Sequence, residues 1–145
     1  MSLTSRRITL QFTLGQGDFG SAGQDTVTLE GLRCSVNIVH SGTGFASADV
    51  QVWGMSLDLM NKLTVTTKLL LQQQVKNRLI IFAGDENGQA MCFGGTVWDA
   101  WADGRQQPDV TFTVGANSGT FDLSKPIAPT SYKGGVDAAL ILSGL

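Results

Sequence analysis

Apolar residues recur at every second position through much of this chain, a period that only a half-buried β-strand satisfies. Residues 7–14 set the pattern, with Ile8, Leu10, Phe12 and Leu14 on one side and Thr9, Gln11 and Thr13 on the other. A short strand is predicted at 25–29. The alternation returns in 32–39 through Leu32, Cys34, Val36 and Ile38, in 46–52 through Ala46, Ala48, Val50 and Val52, and in 110–114. Residues 78–83 (Arg-Leu-Ile-Ile-Phe-Ala) form an unbroken β-branched and aromatic run, which predicts a buried strand. A last short strand is expected at 120–123.

One stretch follows the helical period instead. Ser56 can accept a first-turn amide proton, Asp58 suits the N-terminal end of the helix dipole, and Lys62 lies four residues beyond it. Leu57, Met60 and Leu63 are predicted to be the packing face of a helix over 56–64. Two turns are too few to persist alone in water, so the helix must pack against the sheet or plug the mouth of a barrel. Residues 48–98 therefore form the organising frame: strand 48–54, helix 56–64, strand 77–83, turn 84–89 and strand 90–99. This layout predicts a mainly β domain, an antiparallel β-barrel or strongly curved sheet with one short helix. Ile8, Leu10, Phe12, Leu32, Val36, Val50, Val52, Leu79, Ile81, Phe93 and Phe112 are its expected core, with Leu57, Met60 and Leu63 closing one end.

The segments between strands carry little chemistry. Residues 15–24 hold four glycines and no apolar period, so they read as a long loop, with Phe19 a candidate contact residue. Gly15, Gly17 and Gly20 spell a dinucleotide-type spacing, but a strand follows them, not the helix whose N-terminus would hold a pyrophosphate. Asp85, Glu86, Asn87 and Gly88 lack the alternating ligands of a calcium loop, and Asn-Gly between strands signals a hairpin. Residues 65–76 fit neither period and are expected to be a connection with some extended pairing. Residues 126–135, which include Tyr132, read as an extended linker, and 136–145 as the start of a further helix. The expected organisation is one domain over 1–125, then a linker and a truncated helix over 126–145, the first part of a longer protein.

Composition removes several function classes. With 145 residues, a formal net charge of −2 and 15% charged residues, the chain has no basic footprint for nucleic acid or an anionic membrane. No apolar run approaches the roughly 20 residues of a membrane span, and no apolar segment follows Arg6 and Arg7 as a secretory signal would require. Met1, Ser2 and Leu3 are either native or an expression leader. Cys34 and Cys92 are far apart, form no CxxC pair and are expected to be buried free thiols. His40 has no Cys, Asp or Glu at ligand or triad spacing and reads as a solvated loop residue. A glycosidase needs two carboxylates facing one cleft, whereas Asp85, Glu86, Asp99, Asp103, Asp109 and Asp122 fall in turns or at strand ends. No catalytic, cofactor-binding or metal-ligating residue is predicted, and the expectation is a protein that is not an enzyme.

The aromatic residues leave two readings. Trp98 and Trp101 are three apart, hence on opposite faces of a regular strand, one ring closing the core and the other at a subunit contact. The alternative is a carbohydrate or cell-surface binding module that uses Trp53, Trp98 or Trp101.

Residues 7–15 (Arg-Ile-Thr-Leu-Gln-Phe-Thr-Leu-Gly), 51–63 (Gln-Val-Trp-Gly-Met-Ser-Leu-Asp-Leu-Met-Asn-Lys-Leu), 82–85, 93–103 (Phe-Gly-Gly-Thr-Val-Trp-Asp-Ala-Trp-Ala-Asp), 108–110 and 125–134 together resemble the N-terminal region of baseplate hub proteins of long-tailed phages and prophages. The resemblance spans nearly the whole chain, apart from residues 66–76, and rests on structural motifs, none of them catalytic. It implies a tail-tube-like antiparallel β-barrel with one helix, acting as a non-enzymatic structural subunit of the virion that joins tail tube to tail tip. It also implies two such barrels per chain, with three chains in a pseudo-sixfold ring, and other tail and baseplate proteins as partners. Phe19, Trp98, Trp101 and Tyr132 are the candidate interface residues. Only one barrel is encoded here, so this chain is expected to be a monomer or a weak oligomer when alone.

Overall fold

A computed structural model describes residues 4–42, 44–65, 77–119 and 138–139. Among the described residues, seven strands and one named helix follow in the order β1 (Arg7–Thr13), β2 (Thr26–Leu29), β3 (Cys34–Val39), β4 (Ser47–Trp53), α1 (Leu57–Leu63), β5 (Arg78–Asp85), β6 (Gly88–Asp103) and β7 (Thr111–Asn117). All seven strands join one antiparallel sheet in the order β2-β1-β5-β6-β7-β4-β3.

The expected barrel does not close. β2 and β3 are the two edges of the sheet and do not pair with each other. Their pairings make them run in the same sense, joined by residues 30–33 with Gly31 at φ +72. The chain thus leaves β1 at one edge, bends, and continues along β4 at the other. A closed ladder would need β2 and β3 side by side, but they are successive pieces of one bent path.

Curvature comes from β6, which carries two β-bulges. Ile81 faces Phe93 while Phe82 faces Met91, leaving Cys92 as an extra residue. Val97 faces Ala116 while Asp99 faces Gly115, leaving Trp98 as a second. Each extra residue bends its strand and increases the local twist. The sheet can therefore pack its inner face upon itself. Leu10, Phe12, Val50, Val52, Leu79, Ile81, Phe112 and Val114 are all buried there, and residues of both edges, including Val27, Leu29, Val36 and Ile38, pack on the same cluster.

Most of the predicted core is found in place, with Ile8, Leu32 and Val36 only half-buried at its margin. Leu57 is a correction: it is 68% exposed. At 3.6 residues per turn it lies about 120° around the helix from Leu63, whereas Leu59, Met60 and Leu63 share the inward face. The predicted cap is present, with the Ser56 hydroxyl accepting from the Leu59 amide at 3.3 Å, and Lys62 reaches Asp58 at 3.2 Å. Two hydrogen bonds between Val65 and Ala100, of 2.8 and 3.0 Å, then fix the helix exit to β6.

Three further expectations change. The β5–β6 turn is Glu86 and Asn87, since Asp85 pairs with Gly88, so Gly88 opens the strand. The Asp85 carboxylate accepts from the Asn87 amide at 2.8 Å, which settles the turn one residue earlier than Asn-Gly predicts. Cys92 is exposed, because the bulge turns it off the inner face, and Cys34 is half-buried, which raises its thiol pKa by desolvation. The strand expected at 120–123, the linker at 126–135 with Tyr132, and most of the connection at 65–76 lie outside the described residues.

Candidate functional site

Side chains alternate across a strand, so burial of Val50, Val52, Val114, Ala116, Val97 and Ala100 fixes which residues of β4, β7 and β6 point outward. The registers set them in rows. Trp53, Thr111 and Asp103 form the first, Gln51, Thr113 and Trp101 the second, and Asp49, Gly115 and Asp99 the third. β3 extends the second row with Ser35 and the third with Asn37.

The bulge at Trp98 decides the aromatic geometry. In a regular strand Trp98 and Trp101 would face opposite ways. The extra residue resets the alternation, so that Val97 and Ala100, also three apart, are both buried. Trp101 points outward at 37% exposure, and the Trp98 indole lies over the outer side of Gly115. Both rings therefore share the outer face, which corrects the expectation of opposite faces. None of the three tryptophans belongs to the apolar core, so no ring closes it.

Around these rings the face is polar. The Arg33 guanidinium stacks on Trp53 at 4.8 Å from the ring centroid, and Trp53 is half-buried. At the end of β6, Asp103 accepts from the Arg105 side chain at 2.9, 3.0 and 2.6 Å and from its amide at 3.1 Å, which pulls its carboxyl pKa down to about 2. Asp49 and Asp99 have no ion pair among the described residues.

The remaining candidates are dispersed. Phe19 is half-buried and packs on the core, its loop tied by Phe19 N–H to Gln24 C=O at 2.8 Å. His40 is exposed. Tyr132 lies outside the described residues. A groove at one end of the sheet is lined by Arg6, Arg7 and Arg33 and by Glu30, Asp85 and Glu86, a balance of charge that selects no ion. Among the described residues no three His, Cys, Asp or Glu side chains converge as a metal site would require, and no helix is long and apolar enough to cross a membrane.

Sequence reasoning missed Asn37, Asp49, Gln51, Thr113 and Gly115 as members of one face. The available signal is the polar side of the alternation in 32–39, 46–52 and 110–114.

No family model matches the chain, and no curated protein matches it. Among solved structures, a Francisella PdpA-VgrG complex in its lidded form superposes with a TM-score of 0.50 at 12% sequence identity, covering 82% of this chain and 17% of that one. This chain thus spans only a small part of the length of that neighbour. At this identity the likeness is one of fold alone.

Proposed function

We propose that this chain is a structural, non-enzymatic domain of a phage or prophage tail baseplate hub, placed in the virion between tail tube and tail tip. The observation that carries this reading is the fold likeness over 82% of the chain to a PdpA-VgrG complex, an assembly of protein chains. The motif resemblance to hub proteins points the same way, and so does a sheet whose edge strands β2 and β3 have no outer partner among the described residues, since such edges are ready templates for pairing with another chain.

A further surface suits a protein partner. β5 is apolar on both faces, and on the outer one Ile80 and Phe82 are half-buried beside Met91, which is 64% exposed. Apolar side chains on the outer face of a one-layer sheet are suited to burial against a neighbouring subunit. The partners are then other tail and baseplate proteins, and further copies of the full-length protein in a ring, with no part for nucleic acid or membrane. The protein would be made in the cytoplasm of the bacterial host.

The test is to label the full-length protein with gold in assembled tails and image them by electron microscopy. Label at the junction of tube and tip is expected, and particles without label would overturn the reading. Sedimentation adds a second check, with the present chain expected as a monomer or weak oligomer and the full-length protein as a ring. A heterologous contact closes only when both kinds of surface are present.

A further inference from the structure

We propose that the outer face of β4, β7 and β6 around Trp101 is a binding site for an uncharged oligosaccharide, an activity beyond the assembly role proposed above. What carries this is the composition of the face once the bulge has placed its rings. Trp101 is open to solvent, Trp98 lies beside it over Gly115, and Gln51, Thr113, Asp49, Asp99, Ser35 and Asn37 surround them.

These residue types match sugar chemistry. A pyranose ring presents a face of C–H groups bearing slight positive charge, which the negative face of an indole attracts. Its edge presents pairs of hydroxyls, which carboxylates and carboxamides can meet as planar acceptors and donors. The strands are rigid and fully paired, so the polar groups are held in place before any ligand arrives. By sheet spacing Trp101 lies roughly 12 Å from Trp53. That span is bridged by a short oligosaccharide rather than by a single sugar.

Other occupants fit less well. A single-stranded nucleic acid would stack on the rings but also needs cations along its backbone. Among the described residues the one cation bordering the rows, apart from Arg105 on Asp103, is Arg33, already held on Trp53, while Asp49 and Asp99 repel phosphate. A protein interface is depleted in charge at its centre, whereas the row through Gly115 has a carboxylate on either side and the three rows contain no aliphatic side chain. The same carboxylates turn away sulfated or phosphorylated glycans.

The experiment is calorimetric titration of the protein with β-1,4-linked tetramers of glucose and of N-acetylglucosamine, with a sulfated tetramer as control. Tryptophan fluorescence is followed in parallel. At least one neutral tetramer should bind and shift the emission, and the sulfated one should not. Trp101→Ala should lose roughly tenfold or more in affinity, since a stacked ring is worth about a factor of ten. Its melting temperature should be unchanged, and Leu57→Ala, on the exposed side of α1, should bind as the wild type does. Failure of both neutral tetramers at millimolar concentration overturns the proposal. So does equal binding by Trp101→Ala. If Trp101→Ala instead impairs ring assembly of the full-length protein while no sugar binds, the face belongs to a subunit contact and the sugar site is refuted.

Discussion

The Trp98 indole rests against Gly115 so closely that its Cε2, Nε1 and Cζ2 atoms stand 2.9, 2.9 and 3.0 Å from where a β-carbon on Gly115 would be. The glycine is what lets a bulged residue fold its ring down onto the neighbouring strand. Gly115→Ala should push the ring outward and cost about 1–3 kcal/mol, the usual penalty for overpacking. Adding Trp98→Ala removes the clash, so the two substitutions together should cost less than the sum of each alone. Additive losses of melting stability would show that the two residues do not press on each other.

The helix gives a sharper contrast. Leu63 is 1% exposed and Leu57 is 68% exposed, although the two are identical in chemistry and belong to the same two turns. Leu63→Ala should cost about 2–5 kcal/mol through lost burial and a residual cavity, while Leu57→Ala should stay within about 0.5 kcal/mol of wild type. Denaturant titration of both variants distinguishes them, and similar losses would place α1 in a different rotation.

Where one face of a strand is buried, the period of the sequence determines the structure, and β1, β3 and β4 were legible for that reason. So was α1, because its cap and its Asp58–Lys62 pair are local interactions. The bulges at Cys92 and Trp98 were not legible. A bulge is a relation between two strands, and nothing in the run from Met91 to Trp101 marks which residue will be left without a partner. That is why an exposed thiol, an outward Trp98 and a shared aromatic face all escaped a reading based on regular alternation. The failure of the barrel to close was equally hidden, since it depends on where the chain beyond Gly31 finds its next neighbour. The outer face as a site was legible only in fragments, because its rows cross strands far apart in sequence.

Asn77 links two such distant parts. It is 2% exposed, its side-chain oxygen accepts from the Gly15 amide at 3.1 Å, and its carbonyl accepts from the Val97 amide at 2.8 Å. The side chain therefore anchors the start of the glycine-rich loop to the entry of β5. Asn77→Ala removes that bond, and since Gly15 is exposed and water can replace the lost acceptor, the cost should be about 0.5–1.5 kcal/mol. Amide hydrogen exchange should quicken at Gly15 more than at Val97, whose bond is to the main chain. Equal acceleration at both would mean that the side chain is not the anchor.

Asp103 offers a test by pH. The Arg105 guanidinium and amide hydrogen bonds hold its folded-state pKa at about 2, below the roughly 3.9 of a free aspartate. A folded pKa lower than the unfolded one favours the native state above the unfolded value, and the benefit is lost as pH falls from near 4 through about 2. The pair is solvent-exposed on the arginine side, so its effect on global stability should be small, and the direct observable is the carboxyl titration. By nuclear magnetic resonance the Asp103 carboxyl carbon should titrate near 2 in the wild type and move up toward about 4 in Arg105→Ala. The turn should loosen with it, because the Arg105 amide bond to Asp103 weakens once the carboxylate takes up a proton. A wild-type midpoint already near 4, unchanged in the variant, would show that the fork between Arg105 and Asp103 does not hold in solution.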